Sequence, residues 1–78
     1  MSSSLLPLDT LFLDQKATVV AILSSGIERR RHLDLGIVPG TNIKTLFESH
    51  NKNPKAYLIR GTVIALRNQD ANKILVKI

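Results

Sequence analysis

The side chains best equipped for chemistry in this sequence are three adjacent guanidiniums, Arg29-Arg30-Arg31, followed at once by His32, with a second imidazole at His50 and further guanidiniums at Arg60 and Arg67. Successive helical residues point about 100° apart, so three adjacent arginines fan over most of one turn and cannot converge on a single ligand. One or two of them are expected to bind within the molecule, to a carboxylate or a strand carbonyl, leaving the rest for solvent or an acidic surface. Glu28 and Asp34 are the local counter-ions. Arg60 and Arg67 flank apolar runs, where they either extend a positive patch or stand as solvated strand ends.

The stock for other chemistry is poor. There is no Cys, and the two His and six Asp+Glu are scattered along the chain with no further ligands at regular spacing, so no metal site is expected. His32 therefore reads as a helix-surface or partner-facing residue, and His50 as part of a polar loop. Neither a Gly-x-Gly-x-x-Gly nor a Gly-Lys-Ser/Thr element is present, so no cofactor, no nucleotide site and no catalytic residue are expected. Eleven Lys+Arg against six Asp+Glu leave a net charge of +5 and a pI near 10.1, which favours an acidic partner. The pattern is that of a binding module, not an enzyme.

A nucleic-acid-binding small β-barrel is the alternative. It requires a basic groove with exposed aromatics for stacking, or a recognition helix set by a second helix. The only aromatics are Phe12, Phe47 and Tyr57, and both Phe lie in apolar runs that assign them to the core, so nucleic acid is not the expected partner. The longest mostly apolar stretch, residues 17–23, falls far short of the roughly 20 residues that span a bilayer. With no secretory-type start, a cytoplasmic location is expected.

The elements that must position these side chains fit one domain over residues 1–78, with 1–4 expected to fray. Residues 16–23, Lys-Ala-Thr-Val-Val-Ala-Ile-Leu, read as a strand that places Ala17, Val19, Ala21 and Leu23 on one face. The Ser25-x-x-Glu28 spacing predicts a capping box and a helix that stops at Gly36. Val38-Pro39-Gly40-Thr41 predicts a type II turn into a strand over 41–47. The polar segment 48–54 is expected to be an exposed, mobile loop. Apolar runs at 56–60 and 62–67 around Gly61 predict a tight hairpin, followed by one helical turn at 68–72 and a last strand at 74–78. About five short strands with one or two short helices point to a mainly β chain closed as a small barrel, since closure removes edges. Incomplete closure would leave an edge able to pair with a second copy, so monomer and homodimer both stay open.

The stretch Arg30-Arg31-His32-Leu33-Asp34-Leu35-Gly36-Ile37-Val38-Pro39-Gly40-Thr41 resembles the FeoA family, small cytosolic proteins of bacterial ferrous-iron uptake. Residues 53–61, Asn-Pro-Lys-Ala-Tyr-Leu-Ile-Arg-Gly, continue the likeness, as do Ile64-Ala65-Leu66-Arg67, Ala71 and Ile74-Leu75-Val76, so that it covers about Leu8 to Val76. Asp14 stands where the family usually has glycine and His32 where it usually has leucine. The resemblance implies an SH3-like β-barrel that regulates transport by docking on the cytoplasmic side of FeoB, a membrane protein with a cytoplasmic GTPase domain and an iron-permeation region. Contact with the membrane would then pass through that partner alone. The arginine-bearing helix and the adjoining turn become the partner-facing surface, with Arg29, Arg30, His32 and Arg60 as its candidates. Similar barrels end metal-dependent repressors, but those carry a DNA-binding domain and metal ligands that this chain lacks.

Overall fold

Short β-rich runs punctuated by turn residues form six strands and two helices in a computed structural model that describes residues 5–48, 51 and 53–78. The expectations for residues 1–4 and His50 lie outside the described residues, as does much of that for the 48–54 loop. In chain order the elements are β1 (Leu6–Pro7), a 3-10 turn (Leu8–Thr10), β2 (Lys16–Ile22), α1 (Gly26–Asp34), β3 (Asn42–Glu48), β4 (Lys55–Ile59), β5 (Thr62–Leu66), α2 (Asn68–Ala71) and β6 (Ile74–Lys77). All pair antiparallel in one sheet of order β1-β6-β2-β3-β4-β5.

This order corrects the expected closed barrel of about five strands: among the described residues there are six, and the outer strands β1 and β5 do not pair with each other. β1 is only two residues long and one is Pro7, which has no N–H to give a ladder. The chain then turns at Leu8 and plugs the core instead of extending the strand. Leu8, Leu11, Val19, Ile37, Ile43, Tyr57, Ile59, Ile74 and Val76 make up the fully buried centre. The buried ammonium of Lys55 donates to the carbonyls of Asp9 and Leu11 and so ties the 3-10 turn to β4.

Register shifts interrupt the period-two alternation twice. In β2 the shift between Val19 and Ala21 moves the inward positions from Ala17 and Val19 to Ile22 and Ser24, which leaves Leu23 exposed. In β3 the shift between Thr45 and Phe47 follows the inward Ile43 and Thr45, and Phe47 emerges 59% exposed. Phe12 also lies outside the core, at 78% exposure. Leu11 takes the inward place, and a turn in which Phe12 N–H bonds Gln15 Oε1 carries Phe12 outward. Asp14 holds the left-handed conformation, φ 63°, that the resemblance assigns to glycine.

The capping box does not form. Gly26 enters α1 with φ 60°, the Ser25 hydroxyl makes no cap bond, and the Glu28 carboxylate instead meets Lys73 Nζ at 2.8 Å. At the other end Gly36, φ 89°, completes a Schellman motif, with Ile37 N–H to His32 O at 3.0 Å and Gly36 N–H to Leu33 O at 2.9 Å. Thr41 N–H donates to Val38 O at 3.0 Å and Gly40 has φ 94°, as a type II turn requires. Arg60 and Gly61, both at positive φ, form the two-residue turn between β4 and β5.

A Cβ at Gly36 would lie 2.7 Å from Arg60 Cδ, whereas one at Gly61 meets nothing within 4 Å. Gly61→Ala is expected to cost only its backbone strain, roughly 1–2 kcal/mol, and Gly36→Ala more than that in urea denaturation. Adding Arg60→Ala should recover the excess at Gly36. Equal costs for the two glycine variants would show that the Arg60 stem does not constrain the helix end.

Candidate functional site

Alternation along β2, β3 and β6 sends their basic residues to the outer face of the sheet, and the register then gathers them. Lys16 lies directly opposite Lys44, and Thr18 opposite Asn42 on one side and Lys77 on the other. Like charges facing each other across an antiparallel pair repel. Asp14 Oδ1, 4.0 Å from Lys44 Nζ, offers a solvated counter-charge of little weight.

These residues line an open groove of about 970 Å³, with the Val38-Pro39-Gly40 turn as one rim and Arg60, Gly61 and Ile78 completing the wall. Four cations, Lys16, Lys44, Arg60 and Lys77, reach it, and among the described residues no Asp or Glu side chain lines it. A concave surface with one sign of charge concentrates positive potential and attracts anionic groups. The Arg60 stem lies over Gly36, so the α1 cap and the hairpin turn set this wall together.

The four residues proposed from sequence are not brought together. Arg60 alone reaches the groove. Arg29, near the start of α1, is tied down through Nη1 to Ile22 O at 3.1 Å. Arg30 is exposed on the helix. His32 corrects the surface expectation: it is 2% exposed, and its Nδ1 shares a 3.0 Å hydrogen bond with Ser24 Oγ. The inward side of α1 carries this position to the core. Burial pushes the imidazole pKa below its ordinary value. Arg31 and Lys73 act in the same sense, and Glu28 and Asp70 oppose it.

Lys16, Lys44 and Lys77 escaped the sequence reading because each is a single lysine at an outward strand position. Only strand register makes them neighbours. Among the described residues no group of three or more His, Cys, Asp or Glu could hold a metal ion, and no helix is long and apolar enough to cross a membrane.

Comparison with known proteins places residues 6–78 within the model of the FeoA domain. The FeoA-like protein of Clostridium acetobutylicum is 31% identical with a TM-score of 0.88, over 100% of this chain and 90% of that one. FeoA of Stenotrophomonas maltophilia, a zinc complex described as a prokaryotic SH3 domain protein and suggested as a ferrous iron transport activating factor, is 25% identical with a TM-score of 0.80, over 88% and 86%. A manganese-dependent transcriptional repressor shares the fold, at 17% identity and a TM-score of 0.86, over 99% of this chain and 43% of its own. No match is found among curated proteins.

Because burial in the folded state disfavours protonation of His32, the unfolded state binds more protons near and below the ordinary imidazole pKa of about 6.5. The His32 contribution to stability is therefore complete above that pH and is lost as pH falls below it. The urea midpoint of the wild type should drop further between pH 7.5 and pH 5 than that of His32→Leu. Parallel pH profiles would mean that the buried ring takes up its proton without cost.

Proposed function

The chain belongs to the FeoA family, and on that premise we propose that it is a non-catalytic regulatory protein of ferrous iron uptake that docks on the cytoplasmic side of a FeoB-type transporter. The carrying observation is the groove with four basic side chains and no Asp or Glu among the described residues that line it, which suits an acidic surface of the partner. The activating role suggested for the Stenotrophomonas relative supports a regulatory part in transport. Placement in the cytoplasm belongs to the same reading, since the transporter's GTPase domain lies there.

Within this reading Lys16, Lys44, Lys77 and Arg60 make the principal contacts, and Arg30 adds a second on the exposed side of α1. Arg29 keeps its bond to Ile22 O and His32 supports the helix from beneath. The opposed pair Lys16 and Lys44 is a cost the free protein carries and an anionic partner relieves.

The nucleic-acid reading gains a basic groove and two exposed Phe, but neither Phe12 nor Phe47 lines that groove, so stacking and phosphate contacts would not coincide. It requires RNA or DNA to be retained at low salt, with affinity falling steeply as salt rises.

Lys16→Thr should raise stability by a few tenths of a kcal/mol and weaken capture by the transporter's cytoplasmic part. Lys16→Thr with Lys44→Thr should reduce capture severalfold, more than Arg29→Ala with Arg30→Ala and Arg31→Ala. Undiminished capture by the double lysine variant would remove the groove from the interface, and loss only in the triple arginine variant would move the interface to α1.

A further inference from the structure

Among the described residues β5 pairs only with β4 and so leaves a free sheet edge. The two-residue turn closes the hairpin on Ile59 and Thr62, which therefore exchange backbone hydrogen bonds, as do Tyr57 and Ile64 further along. Val63 and Ala65, lying between these bonded pairs, aim their N–H and C=O groups away from β4. The opposite edge, β1, is guarded by its two-residue length and Pro7, as natural edges usually are. β5 has none of these guards. Its five residues carry no charge, its register with β4 is unbroken, and Val63 is 55% exposed.

We propose that this edge pairs antiparallel with β5 of a second copy about a two-fold axis at Ile64, an interaction beyond the groove reading and independent of it. That register uses the free backbone groups of both Val63 and Ala65 and forms four hydrogen bonds. It is also self-complementary in size, because Val63 of each copy lies opposite the small Ala65 of the other on the outer face. Arg67, just past the strand, falls opposite Gly61, which has no side chain to meet it. A five-residue strand pair is smaller than a standard stable interface, and +5 on each copy opposes approach, so the dimer forms at high concentration and salt strengthens it.

Sedimentation velocity from 10 µM to 1 mM at low and high salt tests this, together with hydrogen exchange of the backbone amides. The expected result is a dimer fraction that rises with concentration and with salt, with the Val63 and Ala65 amides protected. Val63→Pro, which removes an outward N–H not bonded to β4, should abolish both. Val63→Lys, which places a charge on the exposed face, should do the same and carries the test if the proline variant does not fold. A monomer at 1 mM with freely exchanging edge amides overturns the proposal, as does a dimer that survives Val63→Lys. Edge amides protected only when the transporter's cytoplasmic part is added would overturn it in favour of strand addition by that partner.

Discussion

The two register shifts, in β2 after Val19 and in β3 after Thr45, are the constraint on which the rest of this structure depends. A strand that alternates without interruption keeps one set of residues inside from end to end. Each extra residue reverses the set, so Ala17 and Val19 share the core with Ile22, while Leu23 and Phe47 pass outside. The shifts also leave Lys16 and Lys44 opposed at the unshifted ends of β2 and β3. Bulges increase local twist as well, which lets a six-stranded sheet curl around Leu8 and Tyr57 although its outer strands never meet.

A second dependence links the helix to the groove. Gly36 ends α1 in a left-handed conformation, the Thr41 hydroxyl donates to Gly36 O at 2.9 Å, and the Arg60 stem occupies the space a side chain at Gly36 would need. The helix cap, the Val38-Pro39-Gly40 rim and the hairpin turn are therefore one assembly. Beneath it His32 Nδ1 and Ser24 Oγ are hydrogen-bonded to each other in the core, a costly place for either atom alone. Arg29 fastens the start of the helix to the end of β2 in the same manner.

Charge and edge then divide the surface. The cations gather on the outer face near β2 and β3, whereas the uncharged β5 offers backbone groups. The family match accounts for the fold and for the association with iron uptake. A repressor with the same fold at low identity shows that this small sheet also serves as one part of larger proteins.

Much of this was legible in the residues. Gly36, Pro39-Gly40 and Gly61 announced the helix end, the turn and the hairpin, because each demands a backbone angle that few other residues adopt. β-branched runs located the longer strands, and the order of motifs was enough to suggest the family. Side-chain direction after a bulge was not legible, since one inserted residue leaves no mark in local composition yet turns Leu23 and Phe47 outward. Nor was the groove, because Lys16, Lys44 and Lys77 are ordinary surface lysines until strand pairing sets them side by side. Local backbone preference acts through neighbouring residues and can be read from them. Register, burial of His32 and the open sheet edge arise from contacts between distant segments, so only the assembled chain decides them.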